Sequence, residues 1–213
     1  FFSYLYNAKK MKIQILTIFL TTTIAISACH QNKEHSLYNG QELRAGDIVL
    51  RCGSGLTSRA VIVADNGGNY SHVGIVVDSS GVMMIVHAVP GEHDFPNDFD
   101  RVKMDEAKTF FLTTRTKNGR ILRYSDSIVA QKAAQAAHRL YKSGIIFDHE
   151  YDISDTSALY CSELVEYAYK QAGILSITDG IRHDVNLPVF NYEQVILPSD
   201  FVHSSQLTTV SEF

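Results

Sequence analysis

Apolar and polar positions along the chain mark out a sheet carrying a few helices. From Ser71 to Val89, "SHVGIVVDSSGVMMIVHAV", two β-branched runs, Val73 to Val77 and Val82 to Val86, flank the polar turn "DSSG". That pattern predicts a hairpin. "LRAGDIVLRC", Leu43 to Cys52, predicts a strand entered through a glycine turn, and "TFFLTTRTKNGRILRY", Thr109 to Tyr124, a second hairpin about "KNG". The period then changes. In Ser125 to Gly144, residues Val129, Ala133, Ala136, Ala137 and Leu140 recur at helical spacing, with Ser125 and Asp126 available as caps and Gly144 beyond the end. "LYCSELVEYAYKQAG", Leu159 to Gly173, predicts another helix. Leu164, Val165, Ala168 and Ala172 share one face, Glu163 lies in the first turn, and Gly173 is placed for a left-handed closure. The tail from Tyr192 to Val210 holds one more strand and a polar end. Strands outnumber helices and are hairpin-connected, so the expected class is α+β, an antiparallel sheet packed against helices.

Composition narrows this picture. The chain has 213 residues, 45% hydrophobic and 20% charged, enough for one domain with a core. A formal charge of −4 and the lack of basic clusters give no nucleic-acid footprint. Three cysteines, Cys29, Cys52 and Cys161, are too few and too odd for a disulfide scaffold. From Met11, "MKIQILTIFLTTTIAISAC" has the layout of a secretory signal: a lysine, an apolar and hydroxyl run, then small residues before Cys29. The run is too short and threonine-rich for a comfortable membrane span. Residues 1–28 are therefore expected to be a signal peptide, with 1–10 upstream of the true start. Residues 29–42 are expected to be a tether and 43–213 the folded domain. Three of the 19 basic residues and none of the 23 acids lie in 1–28, which leaves a charge of −7 after their removal.

The residue that asks for chemistry is Cys161, at the start of a predicted helix. A helix N-terminus carries partial positive charge and unpaired N–H groups, which favour a thiolate. Cysteine catalysis also needs a base and a group that orients the base. His72 opens one strand of the first hairpin and His87 ends the other. The pairs 72/87 and 77/82 have one sum about the turn, which puts the two histidines at one end of the hairpin, on adjacent strands. One can be the base and the other can fix its tautomer. Glu163 opposes activation slightly, since a nearby carboxylate raises a thiol pKa.

The motifs "GDIVLR" (Gly46 to Arg51), "YSHVGIVV" (Tyr70 to Val77), "IVHAVPGE" (Ile85 to Glu92) and "LYCSELVEYAY" (Leu159 to Tyr169) resemble the permuted NlpC/P60 papain-like cysteine hydrolases of the YiiX/YebB-like group. The resemblance runs from about Gly46 to Ser199, with the histidine first and the cysteine last. It implies a papain-like core whose nucleophile begins a helix packed on an antiparallel sheet that carries the histidine. It makes Cys161 the nucleophile and His72 the general base, with the third polar position on His87. Several relatives have a carboxylate there, so Glu92 is the fallback. Tyr70 and Tyr160 flank the two main residues and are secondary candidates for donating to an oxyanion. The tail "ISAC" resembles a bacterial lipobox, which implies lipidation of Cys29, membrane attachment through that lipid, and a place in the cell envelope.

The stretch "FDHEYDISDTSALYC", Phe147 to Cys161, is rich in acids. Spacing at 148, 150 and 152 begins like a calcium loop, but Ile153 and Leu159 stand where such a loop needs Gly and Glu. Asp152 stays as a secondary candidate for holding a cationic substrate group; the alternative is that these aspartates cap turns. Cys161, His72 and His87 are zinc-ligand types, but no paired ligand spacing supports a metal, and no cofactor is expected. The expected function is an envelope-anchored cysteine hydrolase that cleaves an amide in a cell-wall-type peptide through an acyl-thioester. A lipid acyl hydrolase or acyltransferase with the same catalyst, and a non-catalytic binding module, are the alternatives.

Overall fold

The computed structural model describes residues 35–187 and 190–213. Strand β1 (Ile48–Gly53) leads through a short loop to helix α1 (Leu56–Ala64), then to the hairpin β2 (His72–Ser79) and β3 (Val82–Val89). Next come β4 (Arg101–Glu106), the single-turn α2 (Ala107–Phe110), β5 (Thr116–Tyr124), and the helices α3 (Ser127–Lys142) and α4 (Cys161–Gln171). A ribbon of β6 (His183–Leu187) and β7 (Phe190–Val195), helix α5 (Pro198–His203) and strand β8 (Leu207–Glu212) complete the chain. The main sheet has the order β4-β3-β2-β1-β5-β8, and β6-β7 forms a separate two-stranded sheet. Every strand pair is antiparallel, as the α+β reading expects.

The central strands are buried on both faces. In β2, the six residues His72 to Val77 are all buried, which explains a near-continuous apolar run where a half-buried strand would alternate. One face carries Ile48, Leu50, Val73, Ile75, Val77 and Val86 against Ala133, Ala137, Leu164 and Val165 of α3 and α4. The other carries Val49, Val76, Ile85 and Ile121 against Phe110 and Phe111. Asp126 caps α3 by accepting from the N–H groups of Ile128 and Val129, and Gly144 follows its end with φ of 67°. Helix α4 is pinned to the sheet by buried Leu164, Val165 and Ala168, each worth about 1–3 kcal/mol of burial. The Tyr169 hydroxyl also donates to the Gly46 carbonyl at 2.6 Å. Gly46 adopts φ of 92°, and a Cβ there would lie 2.4 Å from the Ala130 carbonyl oxygen, so this turn requires glycine.

Four features differ from the sequence reading. "KNG" is not a turn: it lies inside the continuous strand β5. Gly119 is there for room, since a Cβ would come within 2.7 Å of the Phe111 and Phe213 rings. The hairpin register pairs Val77 with Met84 and Ser79 with Val82, two residues on from the expected count. Ser80 and Gly81, at φ of 59° and 87°, form its two-residue turn. Strand β4, rich in charge, is additional, as are α1 and β6, and the tail supplies α5 and β8 beyond the one expected strand. Part of the expected tether is docked. The Leu37 N–H donates to the Phe111 carbonyl, and Leu37 and Tyr38 pack with the second core cluster. The expected signal segment and Cys29 lie outside the described residues.

Candidate active site

Cys161 is the first residue of α4, and Tyr160 is its N-cap. No side-chain oxygen at the cap takes the first N–H groups, so those near the sulfur are free to face it. Burial pushes the Cys161 thiol up. The Ser162 hydroxyl and the N–H groups of Val73, Ser162 and Cys161 itself pull the other way without overcoming it. That direction opposes the thiolate that the helix N-terminus is expected to favour.

His72 and His87 meet as expected, but by a different geometry. Extending the observed register puts Gly74, not His72, opposite His87. The histidines are diagonal neighbours on one face, and the missing Gly74 side chain leaves the space between them. His72 Nε2 lies 2.8 Å from His87 Nδ1, with ring centroids 5.0 Å apart. His87 Nε2 in turn lies 3.2 Å from Asp105 Oδ2 on β4. Burial opposes ionisation of Asp105, but the hydrogen bond from His87 and the Lys103 ammonium hold its carboxyl well below the usual range. It is therefore an acceptor, and this fixes both tautomers. His87 donates Nε2–H to Asp105, so its Nδ1 is a bare acceptor. His72 must then donate Nε2–H to that nitrogen, which leaves His72 Nδ1 with a free lone pair. Burial, the Arg51 guanidinium and His87 drive the His72 pKa well down. Burial also lowers that of His87, partly offset by Asp105. Both rings are neutral near pH 7.

Two cavities adjoin the thiol, and Cys161 and Tyr151 line both. The first, of about 470 Å³, is mostly apolar; its wall includes Leu56, Val61, Tyr160, Val185, Ile196 and Leu197. The second, of about 370 Å³, is the more polar of the two and is lined by His72, Arg51, Ser71, Glu92 and Arg115 among others. Cys161 and His72 thus face one space, though among the described residues the thiol makes no hydrogen bond to the imidazole. Tyr151 adopts φ of 56° and packs on Tyr160 with centroids 5.0 Å apart. Burial and then the neighbouring Cys161 push its hydroxyl well up, so it remains a donor.

The secondary candidates are engaged in bonds of their own. Glu92 pairs with Arg51 and with Arg115 at 3.0 Å, not with a histidine. The Tyr70 hydroxyl donates to Glu212 at 2.9 Å and is pushed up to about 12 by burial, then by that bond. The Tyr160 hydroxyl accepts from the Ile196 N–H at 2.8 Å, so it holds the chain beside β7. Asp152 accepts from the Ser154 N–H, and Asp148 and Asp155 close similar turns; the turn-capping reading holds for them. Asp105 and Tyr151 were not among the sequence candidates. The alternation of Val102 and Met104 with Lys103 and Asp105 is the available signal for the first. No local pattern marks the second.

Comparison with known proteins agrees with this fold. A family model described as permuted papain-like amidase enzyme, YaeF/YiiX, C92 family, matches residues 42–211. Among solved structures, one titled as that of the metalloprotein yiiX from Escherichia coli O157:H7 aligns with a TM-score of 0.64 and 22% identity. The match covers 80% of this chain and 97% of that one. Among the described residues here, no three His, Cys, Asp or Glu side chains are grouped to hold a metal ion. The curated proteins contain no match.

Proposed function

The chain belongs to the permuted papain-like amidase family, and on that premise we propose that it is a cysteine hydrolase that cleaves an amide bond through an acyl-thioester on Cys161. The observation that carries this reading is the line His72–His87–Asp105 at a cavity that both His72 and Cys161 border; with Nε2–H given to His87, Nδ1 is the nitrogen of His72 left to act as base. His72 takes the thiol proton as sulfur attacks the carbonyl, so the reaction starts from a neutral pair. The imidazolium that forms is stabilised through His87 by Asp105, two bonds away. The N–H groups at the start of α4 and the Tyr151 hydroxyl are the donors for the oxyanion. Collapse expels the amine, which takes the proton from His72, and water then hydrolyses the thioester.

A cell-wall-type peptide substrate and attachment to the cell envelope through Cys29 belong to this proposal; they rest on the N-terminal sequence. The apolar cavity beside Cys161 favours a second reading, a lipid acyl hydrolase or acyltransferase with the same catalyst. The experiment is to incubate the purified protein separately with murein-type peptides and with a bacterial lipid extract, following products by mass spectrometry. Amide cleavage lost in both Cys161→Ala and His72→Ala supports the hydrolase. Deacylated lipid with intact peptides replaces the peptide substrate by a lipid. Turnover that survives Cys161→Ala rejects the mechanism.

A further inference from the structure

The polar cavity has features that the reaction does not use. One wall is the N-terminus of α1, where Gly55 is the N-cap, no side chain caps the helix, and the first turn contains no acid. Its first N–H groups therefore lack a side-chain acceptor. Gly55, Thr57 and Ser58 from this end all line the cavity. Independently, two guanidinium groups border the same space. Arg51 is 2% exposed, and its Nε has no acceptor among the described residues. Arg115, on the opposite loop, gives one N–H to Glu92. Glu92 is the one carboxylate among the lining residues, and its two oxygens already serve the two arginines. Two guanidinium charges against one carboxylate leave a net positive charge facing a helix N-terminus.

We propose that this cavity is a subsite for an oxyanion of the substrate, a carboxylate or a phosphate, held by the α1 N–H groups and Arg115 with Arg51 behind them. It rests on the reading of Cys161 as the reactive centre. Because Cys161 lines both cavities, the bond it attacks lies between an apolar portion of the substrate and an anionic one. An N-terminal ammonium, by contrast, meets like charge here.

Anion binding can be read without turnover. Cys161 in the purified protein is alkylated by neutral iodoacetamide, with Cys52 as internal reference, in sodium acetate or inorganic phosphate against chloride of equal ionic strength. One anion is expected to protect Cys161 saturably and leave Cys52 unchanged. Acetate alone identifies a carboxylate substrate, and phosphate alone a phosphorylated one. Protection should weaken tenfold or more in Arg115→Gln. Gly55→Asp should also abolish it, by placing a carboxylate on the helix end, while Gly55→Ala should not. A Cβ at Gly55 meets nothing within 4 Å, and an aspartate N-cap favours the helix, so the Asp variant should melt no lower than the parent. Protection no better than chloride, or unchanged in both Arg115→Gln and Gly55→Asp, overturns the subsite. Protection without any amide or ester turnover keeps the subsite and removes the hydrolase reading. Turnover without protection does the reverse.

Discussion

At the scale of single residues, the site depends on which nitrogen carries which proton. Asp105 sets this from two rings away, by accepting from His87 Nε2. Asp105→Asn should therefore be worse than a simple loss of charge. An asparagine amide can donate to His87 Nε2, which reverses both tautomers and leaves His72 Nδ1 protonated. Steady-state kinetics should show kcat lower by on the order of 10²-fold or more, with KM nearly unchanged; Asp105→Ala, which permits either tautomer, should lose less. Equal rates for Asp105→Asn and the parent would mean that the line is structural. Glu163 makes a second residue-scale case. Its carboxyl is pushed up to about 8 by burial, then by Asp148, against the Tyr160 N–H, and its Oε2 has no hydrogen-bond partner among the described residues. The folded state thus holds a proton between the ordinary carboxylate range and about pH 8 that the unfolded chain has lost. The stabilising effect of the neutral form is full at acid pH and fades as pH rises through that window. Glu163→Gln should match the parent in melting temperature near pH 4 and exceed it by several degrees at pH 9, in paired thermal scans.

At the scale of elements, the strands bring the histidines together through an absence. Gly74 sits opposite His87, and a Cβ there would meet Ile85 Cγ2 at 2.7 Å and His87 Cβ at 3.2 Å. Gly74→Ala should cost about 1–3 kcal/mol through overpacking. It should also lower kcat at temperatures where the variant stays folded, because His87 must shift from His72. Denaturant melts alongside kinetics separate the two effects; lost stability with unchanged kcat would detach the strand geometry from the reaction. Element type was legible where one period held over a long run. The 3.6-residue pattern of α3 and α4 fixed both helices to within a few residues, because burial against one sheet face demands that spacing. It failed in β5, where "KNG" has turn chemistry, but Gly119 makes room for two aromatic rings. It gave no element for β4, where Arg101, Lys103 and Asp105 break any apolar run and find partners outside the strand, in Asp94, Asp98 and His87.

At the scale of the whole molecule, the thiol stands between an apolar and a polar space. The apolar one is assembled from α1, the 147–151 loop, the start of α4 and the β6–β7 ribbon with the residues after it. Ala60→Phe, on the exposed side of α1 that borders this cavity, should raise KM for substrates with an apolar acyl group by about tenfold. Alkylation of Cys161 by iodoacetamide should stay unchanged. Equal KM values would show that acyl groups bind elsewhere.

The sequence by itself determined the α+β class, the two main helices, the central hairpin and the meeting of His72 with His87 at one end of it. Each is written in local periodicity or in a short motif, where neighbours in the chain are neighbours in space. Tertiary structure alone decided the burial that raises the thiol pKa, the carboxylate at the end of the histidine line and the two cavities. Those depend on burial and on partners from distant segments: Asp105 lies 18 residues from His87, and the cavity walls come from both ends of the domain. Burial in the packed core pushes the Cys161 thiol up and the His72 imidazole down, and a one-dimensional pattern of residue types contains no measure of that.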